Sequence, residues 1–246
     1  MMGTAALVLV HGANHQAISW RPTIEALRAQ KPAGEIIAVD LPGRAGVPTD
    51  LATLSVETCV AHIVERIADA DVDEVVLVGH SFGGALIPLV AIELGPERVR
   101  RLVFIAATIP PEGGTVIDSI GGLAKLTVPI VARRRKLSRY PRRAAARAFC
   151  NGMTAEQKAF VLDHLCPDAS WLTTEPIHRS GLSRAIPRTW ILTTDDNAVP
   201  AAKQRRNIEH LGGVDEVIEI DSCHDVMVRD PEALAAVLGS VCADPS

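Results

Sequence analysis

The stretch of sequence that decides the fold is Val75-Val76-Leu77-Val78-Gly79-His80-Ser81-Phe82-Gly83-Gly84. A run of aliphatic residues ends here in Gly-x-Ser-x-Gly, and an apolar segment of helical character follows at once. A strand that turns sharply into a helix holds its serine on an exposed corner and leaves the next backbone N–H free to face an oxyanion. Because the motif stands in this strand, turn and helix context, it predicts that Ser81 is a catalytic nucleophile.

Length and composition are those of a globular protein. The 246 residues suffice for one large α/β domain or two small ones, with ample apolar surface to bury. Hydrophobic residues make up 48% and charged residues 22%, a balance that excludes disordered and fibrous chains. The formal net charge of −4 provides no overall attraction to nucleic acid, so no nucleic-acid partner is expected.

Cysteine usage and the first residues predict a cytoplasmic protein. The five cysteines are odd in number, scattered, and form no Cys-x-x-Cys pair, which is typical of reduced thiols rather than of a disulfide framework. Residues 1–4 contain no basic group, and the apolar run 5–10 is too short for the core of a signal peptide. No stretch approaches the roughly 20 apolar residues that span a bilayer, so no membrane partner is expected either.

Short aliphatic runs alternate with helical patterns along the chain. Strands buried on both faces are predicted at 5–10, 35–40, 75–78, 101–106, 189–193 and 217–220. Helices are predicted at 20–29, 55–68 and 231–241, the second with the apolar spacing of one buried face. Continuous apolar strands separated by helices indicate an α/β fold, with a mostly parallel twisted sheet covered by helices on both faces.

One region breaks this alternation. From about 110 to 187 the sequence has several short helical patterns and no convincing buried strand. We interpret it as a helical cap, inserted after strand 6 and lying over the sheet, so that residues 1–109 and 188–246 form the core and residues 110–187 the cap. Its bulky residues are expected either to contact substrate or to pack within the cap itself. They are Tyr140, Phe149, Phe160 and Trp171.

The cap contains a strongly basic stretch. Residues 119–155 include no acidic residue, whereas residues 125–147 include nine lysines and arginines. The ordinary interpretation is a solvated helix face. The alternative is a basic lid that attracts an anionic substrate or an acidic partner, such as a carrier protein. A homodimer is the other assembly that we consider.

A serine nucleophile needs a general base, and that base needs an acid to orient it. Residues beyond Ser81 provide these groups in the chain order Ser, Asp, His, because Asp196 and His224 each follow a predicted strand. Both therefore emerge at the C-terminal edge of the sheet, where open α/β sheets place their sites. Asp195 is the alternative acid. Asp196 is preferred because it holds the Asp-x-x-x-Pro position that shapes the turn.

Acyl transfer also requires an oxyanion hole, which two backbone N–H groups would form. Phe82 provides one of them. The other is expected from the loop after the first strand, Val10-His11-Gly12-Ala13-Asn14. Gly12 lets the backbone turn close to the nucleophile, which leaves the N–H of Ala13 as the donor. The alternative is an ordinary His-Gly turn at the end of a strand.

These segments resemble the α/β-hydrolase superfamily across nearly the whole chain. More narrowly, they are similar to the plant methyl esterase and hydroxynitrile lyase group and its bacterial relatives. The resemblance rests on Val8-Leu9-Val10-His11-Gly12-Ala13-Asn14-His15, on Val39-Asp40-Leu41-Pro42-Gly43, on the elbow at 79–84 and on the surroundings of Asp196 and His224. It implies a Ser81, His224 and Asp196 triad, with a cap that provides most of the substrate pocket.

Departures from this group bear on the reaction. Its lyases resemble a form with threonine where Gly12 stands and with lysine directly after the catalytic histidine, where this chain has Asp225. The positive charge that stabilises cyanide is missing, which argues against lyase activity. Ser81 likewise argues against the epoxide hydrolases and dehalogenases of this fold, which use aspartate at the elbow. Gly12 and His15 are candidate substrate-binding residues by the same resemblance, and a packed or surface position fits His15 equally well.

The predicted activity is hydrolysis of a carboxylic ester or thioester of a small molecule through an acyl-enzyme. No metal or organic cofactor is expected, because the sequence has no Cys/His cluster with zinc spacing and no phosphate-binding glycine loop. Two alternatives stay open. One is a non-hydrolytic enzyme of the same fold, such as an acyltransferase, a cofactor-free oxygenase or a biosynthetic cyclase. The other is a ligand receptor that turns over slowly.

Overall fold

Six parallel strands form the central sheet of the structure, a computed structural model that describes residues 5–30, 34–44, 46–120, 130, 137 and 139–243. The strands are β1 (Ala6–Val10), β2 (Ile36–Val39), β3 (Val75–His80), β4 (Val99–Ile105), β5 (Arg188–Thr193) and β6 (Glu216–Ile220). Each overlaps a strand predicted from the sequence, and every neighbouring pair is parallel. The predicted fold class, α/β with a parallel sheet, is confirmed.

The strands lie in the order β2-β1-β3-β4-β5-β6. The chain adds β2 on one side of β1 and β3 on the other, so the direction of winding reverses between β1 and β3. Val10, the last residue of β1, is paired with Gly79 near the end of β3. Open α/β sheets bind ligands outside the carboxyl ends of the strands at such a reversal. The loop after β1 and the turn after β3 meet there.

Helices cover both faces of this sheet. In the described residues they are α1 (Arg21–Ala29), α2 (Val56–Asp69), α3 (Phe82–Leu94), α4 (Val116–Ile120), α5 (Arg142–Phe149), α6 (Ala155–His164), α7 (Ala201–Leu211), α8 (Val226–Arg229) and α9 (Pro231–Ala243). Successive residues of β1 point into two different buried clusters. Val8 and Val10 pack with residues of α2 and α3, whereas Leu7 and Leu9 pack with residues of α1 and α9. The predicted helical layers on both faces are thus confirmed.

The start of α2 illustrates how local sequence sets an element boundary. Ser55 Oγ accepts a hydrogen bond from the Thr58 N–H at 3.1 Å, and Thr58 Oγ1 accepts one from the Ser55 N–H at 2.9 Å. This reciprocal capping satisfies two backbone donors that a helix start otherwise leaves without partners. The helix then buries Cys59 and Ile63 against the sheet.

The long insertion lies between β4 and β5. Its described residues contain α4, α5, α6 and a 3₁₀ turn at Ser170–Thr174, and an isolated bridge joins Thr115 to Pro176. It leaves the sheet after the fourth of the six strands and not after the sixth as expected, because β5 and β6 both follow it in the chain. The division into a core and a separate cap at 110–187 stays a prediction.

Some predictions fall outside the described residues. Of the basic stretch 125–147, residues 125–129, 131–136 and 138 are not described. No described helix is both long enough and apolar enough to cross a membrane. The thiols of Cys59, Cys150, Cys166 and Cys223 are free and buried. Burial raises the pKa of the Cys59 thiol to about 12, so almost no reactive thiolate is present there at neutral pH.

Candidate active site

The backbone turns sharply at Ser81, between β3 and α3. Ser81 has φ 51° and ψ −118°, and residues other than glycine seldom adopt a positive φ. Two hydrogen bonds hold this conformation: the Ser81 N–H donates to Ile105 O at 3.0 Å, and Ser81 O accepts from the Thr108 N–H at 3.0 Å. The serine stays partly exposed. This is the strand-to-helix elbow that the Gly-x-Ser-x-Gly sequence predicts.

Close backbone contacts explain two of the glycines around this elbow. A Cβ atom at Gly79 would lie 2.7 Å from the backbone carbonyl carbon of Gly83, where β3 and α3 pass each other. A Cβ atom at Gly12, in the loop after β1, would lie 2.8 Å from Ser81 Cβ and 3.4 Å from Ser81 Oγ. The loop therefore lies directly against the serine, and any side chain at Gly12 would push the two apart.

Two backbone N–H groups beside Ser81 have unused hydrogen-bonding capacity. Neither the Ala13 N–H nor the Phe82 N–H has an acceptor among the described residues. Phe82 begins α3, and the first N–H groups of a helix lack intrahelical acceptors while the helix dipole favours negative charge there. Ala13 directly follows Gly12. The two groups that the sequence nominated as oxyanion donors thus flank the elbow.

His11 fixes the start of the loop after β1. Its Nδ1–H donates to Gly12 O at 2.8 Å, and its Nε2 accepts from the Leu41 N–H at 3.1 Å. A ring with one donor and one acceptor nitrogen is neutral. Burial, reinforced by the charge of Arg44, lowers the pKa of His11 well below 6.5, in agreement with that state. His11 therefore joins the loops after β1 and β2 without carrying charge.

His224 follows β6 and contacts the carboxylate of Asp196. His224 Nδ1 donates to Asp196 Oδ2 at 2.8 Å, and both side chains are almost fully buried. Asp196 Oδ1 accepts from the N–H groups of Ala198 and Val199 at 2.8 and 2.7 Å, so the turn after β5 fixes the carboxylate. With Nδ1 donating, the neutral imidazole keeps its lone pair on Nε2, the form that accepts a proton.

The adjacent carboxylate, Asp195, has a different environment. Its side chain is exposed, and its Oδ2 accepts from Arg229 Nη1 at 3.2 Å. Of the two acids that the sequence left open, Asp196 is the one whose carboxylate His224 contacts. The sequence had favoured Asp196 as well, because it occupies the first position of the turn-forming Asp-x-x-x-Pro pattern.

His80, the residue before Ser81, holds the backbone of His224. The His80 Nε2–H donates to His224 O at 3.0 Å, and the centroids of the two rings lie 4.6 Å apart. Burial lowers the pKa of His80 well below 6.5, so its ring is neutral. One side chain therefore fixes the elbow and the loop after β6 to each other.

A comparison with known families agrees with this geometry. Residues 7–237 match the model of the "Alpha/beta hydrolase family". The chain belongs to this family. The superfamily resemblance and the fold inferred from the sequence are both confirmed.

Individual relatives of this α/β-hydrolase come from bacteria and plants. It is 28% identical over 250 residues to a carbendazim hydrolyzing esterase of Nocardioides sp. (strain SG-4G), covering 96% of this chain and 99% of the relative. It is 29% identical over 259 residues to salicylic acid-binding protein 2 of Nicotiana tabacum, covering 94% of each. Among solved structures, an extracellular alpha/beta-hydrolase from a Paenibacillus species has a TM-score of 0.86 at 23% identity, over 98% of this chain and 100% of that one. The expected likeness to the plant group and its bacterial relatives is thus confirmed.

The hydrolase has a buried ion pair beside His224 that sequence patterns did not predict. His15 Nε2 donates to Asp225 Oδ2 at 2.8 Å, and His15 Nδ1 donates to Ala13 O at 2.8 Å. His15 is 2% exposed and Asp225 is 0% exposed. Both ring nitrogens of this candidate substrate-binding residue are therefore engaged within the protein. The only indication in the sequence was that Asp225, an ionisable residue, directly follows the candidate base His224.

Each member of this pair shifts the pKa of the other towards its charged form. Burial alone would lower the pKa of His15, but the charge of Asp225 and the hydrogen bond to its carboxylate outweigh burial and raise that pKa. Burial alone would raise the pKa of Asp225, but the charge of His15 and the hydrogen bond from its ring outweigh burial and lower it. These two directions favour an imidazolium paired with a carboxylate.

A second buried ion pair joins the insertion to the loops after β1 and β2. Arg44 Nη1 lies 2.8 Å from Asp168 Oδ1, and Arg44 Nη2 donates to Asp168 Oδ2 at 2.9 Å. Asp168 Oδ2 also accepts from the Asn14 N–H at 2.6 Å. Sequence reasoning missed both residues. Arg44 directly follows a family-like segment, and Asp168 lies in a stretch with no motif.

Phe149 brings the end of α5 against the site. Its ring lies 27° from parallel with that of His224, at a centroid distance of 5.5 Å, and it meets the His15 ring edge-on at 5.2 Å. Trp171 instead packs in the core beside α2, where its Nε1–H donates to Leu54 O at 2.9 Å. Of these two bulky residues of the insertion, Phe149 is the one that contacts the candidate catalytic groups.

One cluster of possible metal ligands occurs in the described part of the chain. Ligand atoms of His80, His224 and Asp225 lie within 4.8 Å of one another. Their hydrogen bonds to His224 O, Asp196 and His15 already engage one polar atom of each side chain. A cation on the remaining nitrogen of His224 would also remove the lone pair that a general base needs. We therefore assign this cluster no metal, and the expected absence of a cofactor stays a prediction.

Proposed function

We propose that this protein is a serine esterase that hydrolyses a carboxylic ester or thioester of a small molecule through an acyl-enzyme. The observation that carries the proposal is the strained Ser81 on its elbow, flanked by the N–H groups of Ala13 and Phe82, which have no acceptor among the described residues. His224, oriented by Asp196 at the same edge of the sheet, supplies the base that such a serine requires.

In the acylation step, Ser81 Oγ attacks the carbonyl carbon while His224 Nε2 takes its proton. Asp196 keeps the imidazole in the correct tautomer and stabilises the imidazolium that forms. The former carbonyl oxygen carries the negative charge, and the N–H groups of Ala13 and Phe82 each lower the barrier by roughly 3 kcal/mol, as in comparable sites. The bond to the leaving group then breaks, and His224 gives its proton to the departing alcohol or thiol.

Water completes the cycle. His224 Nε2 takes a proton from water as the oxygen attacks the acyl carbon, and the same N–H groups stabilise the second oxyanion. The acyl–Ser81 bond breaks, His224 returns a proton to Ser81 Oγ, and the carboxylic acid leaves. Hydrolysis by this route needs no group beyond the side chains and backbone of this chain.

Support for a small ester substrate comes from the relatives. One is named as an esterase that hydrolyses carbendazim, and this chain spans nearly all of its length. Phe149 contributes an apolar ring next to His224, and an apolar wall favours an uncharged ester over a charged one. The cap would form the rest of the pocket. It would therefore determine which acyl and alcohol groups of an ester the enzyme accepts.

Lyase activity is not part of the proposal, although a plant hydroxynitrile lyase is among the relatives. The position after His224 is Asp225, a carboxylate, where a cyanide-releasing site is expected to hold a cation. The nearby imidazolium of His15 does not replace that cation, because Asp225 neutralises it at 2.8 Å.

The test is a pre-steady-state burst with p-nitrophenyl acetate and butyrate. We expect one equivalent of nitrophenolate per protein followed by turnover, with both absent in Ser81→Ala. Ser240→Ala, on the exposed surface of α9, is the matched control and retains both phases. A folded wild-type protein without burst or turnover would contradict the proposal. A burst without turnover would favour a receptor, and transfer to an added alcohol in place of water would favour an acyltransferase.

Location and assembly belong to the same proposal. A cytoplasmic protein with free thiols is our expectation, although the solved Paenibacillus relative is extracellular. A homodimer, and an acidic partner at the basic stretch 125–147, stay predictions that size-exclusion chromatography with light scattering tests directly.

A further inference from the structure

The pair formed by His15 and Asp225 connects two loops with different proposed tasks. His15 lies in the loop after β1, two residues after Ala13, whose backbone N–H is a proposed oxyanion donor. Asp225 lies in the loop after β6, next to His224, the proposed base. The ring of His15 spans the gap, with Nδ1 donating to Ala13 O at 2.8 Å and Nε2 donating to Asp225 Oδ2 at 2.8 Å.

The acceptors fix the protonation of His15. A backbone carbonyl accepts hydrogen bonds only, and so does an ionised carboxylate, so both ring nitrogens must carry protons. A neutral ring has one N–H and would lose one of the two bonds. The loop of Ala13 is thus attached to that of Asp225 only while His15 is an imidazolium or while Asp225 is replaced by a group that can donate.

Stability alone is a poor explanation for the pair. Both side chains are buried, and Asp225 Oδ1 has no hydrogen-bond partner among the described residues. Removing two charges from water costs several kcal/mol per ion, and apolar replacements of buried pairs are often neutral or stabilising. A pair retained with one oxygen unsatisfied points to a role in geometry.

Direct contact with substrate is also a poor explanation. His15 is 2% exposed, and neither nitrogen is free. The ring of Phe149 meets it edge-on at 5.2 Å, and the ring of His80 meets it edge-on at 5.8 Å. The side chain is therefore enclosed by protein on these sides.

We propose that His15 is a positioning residue that, through Asp225, holds the oxyanion loop of Ala13 at a fixed distance from the loop of His224. The inference rests on the proposed function for the roles of Ala13 and His224, and the connection between the loops stands on the hydrogen bonds alone. The other side of the His224 loop is held by His80, whose Nε2–H donates to His224 O. The base would thus be fixed between the elbow and the oxyanion loop.

Kinetics of three variants test the role. His15→Leu and Asp225→Leu remove the connection, and we expect kcat per titrated active site to fall about 10- to 100-fold, the scale on which small misplacements act, with KM nearly unchanged. Asp225→Asn is the conservative replacement. Its amide can donate to Nε2 of a neutral His15 while Nδ1–H still donates to Ala13 O, so most of kcat returns.

Thr23→Val provides the matched control for buried hydrogen-bond loss. Thr23 is fully buried, and its Oγ1 donates to Met227 O at 2.8 Å, two residues beyond Asp225 but away from Ala13. We expect lower stability and an unchanged kcat. A variant series in which KM rises and kcat stays constant would make His15 a substrate contact. Unchanged kcat in both leucine variants would make the pair merely structural. Either result overturns the proposal.

Two measurements test the hydrogen-bonded connection between the two loops and need no enzymatic turnover. A negative result in them can therefore be told apart from a failure of the esterase proposal. Nitrogen-15 NMR of the His15 ring should show both nitrogens protonated at neutral pH in the wild type, and a neutral ring overturns the proposal. Amide hydrogen exchange in residues 12–16 should accelerate in Asp225→Leu, and unchanged exchange overturns it. His15→Gln, with one amide nitrogen in place of two ring nitrogens, replaces His15→Leu if the latter does not fold.

Discussion

The side chain of His80 donates a hydrogen bond to the backbone carbonyl of His224 at 3.0 Å. The residue before the proposed nucleophile therefore holds the proposed base by its main chain. His224 thus has its side chain fixed by Asp196 and its backbone fixed by the elbow. A base constrained at both ends loses little conformational freedom when a substrate binds, which favours catalysis by orientation.

This relationship predicts that His80 affects catalysis. His80→Leu leaves the carbonyl of His224 without its donor, and we expect the free energy of unfolding to fall by about 1–3 kcal/mol and kcat by about 10- to 100-fold. Urea unfolding and burst-titrated kinetics measure the two effects. His210→Leu is the control, since His210 also donates to a carbonyl, Ile109 O at 2.9 Å, on α7 and away from the elbow. Equal kcat losses in both variants would contradict a specific role.

The adjacent acids provide a matched test of the triad. Asp196→Asn should lower kcat by about 10⁴-fold, because an amide beside Nδ1 favours the wrong tautomer of His224. Asp195→Asn removes only an exposed contact with Arg229 and should leave kcat within a small factor of the wild type. Steady-state hydrolysis of p-nitrophenyl acetate compares the two. A larger loss for Asp195→Asn would reassign the acid.

A single methyl group at Gly12 should inactivate the protein. The new Cβ would lie 2.8 Å from Ser81 Cβ and 3.1 Å from His80 Nδ1, both parts of the rigid elbow. We expect Gly12→Ala to lower kcat at least about 100-fold by moving Ala13 away from the oxyanion. Gly212→Ala is the control. Its φ of 85° makes alanine strained, but nothing lies within 4 Å, so stability falls while kcat is retained.

The contributions of Arg44 and Asp168 to the free energy of unfolding should be strongly coupled, because the two side chains form a buried ion pair. Arg44→Met leaves a buried carboxylate without its partner, and removing one member of such a pair costs about 3–5 kcal/mol. Asp168→Leu should lower stability for the corresponding reason, because it leaves the buried guanidinium of Arg44 without its carboxylate. The double variant should recover most of the loss, because no buried charge remains. Urea unfolding of all four proteins gives the coupling energy, and additive losses would contradict a paired role.

The sequence predicted those parts of the molecule that local patterns determine. Continuous aliphatic runs placed all six strands, because strands buried on both faces leave such runs. The elbow, Gly12, Asp196 and His224 could be nominated because each follows a predicted strand, and their catalytic roles stay predictions. The partners of His15 and Arg44 were not, since Asp225 and Asp168 lie 210 and 124 residues away and no local pattern encodes such contacts.

The expected place of the insertion was wrong for a different reason. Four of the predicted strands, at 5–10, 35–40, 75–78 and 101–106, already precede it, so a place after strand 6 did not agree with those strands, and the structure puts the insertion after the fourth. The contacts that the insertion makes with the core depend on tertiary packing, which local patterns do not encode. The contact between Phe149 of α5 and His224 is an example.

The pair of His15 and Asp225 should give the stability of the protein a distinctive pH dependence. The pKa of His15 is raised above 6.5, so its contribution is complete below 6.5 and is lost as the pH rises through the raised value. The pKa of Asp225 is lowered below 3.8, so its contribution is complete above 3.8 and is lost only as the pH falls through the lowered value. The pair therefore contributes fully between about pH 3.8 and 6.5.

Comparison with Asp225→Asn isolates this effect. Without the carboxylate, burial should lower the pKa of His15 below 6.5, so stability rises as the pH increases through that region. The wild-type contribution falls as the pH rises from 6.5 towards the raised pKa of His15, so the difference in unfolding free energy between the two proteins should shrink over that range. His11, whose pKa is also lowered, adds the same rising trend to both proteins and cancels in the difference. Urea unfolding at five pH values measures it, and a difference that stays constant from pH 5 to 8 would show that His15 carries no charge in the folded protein.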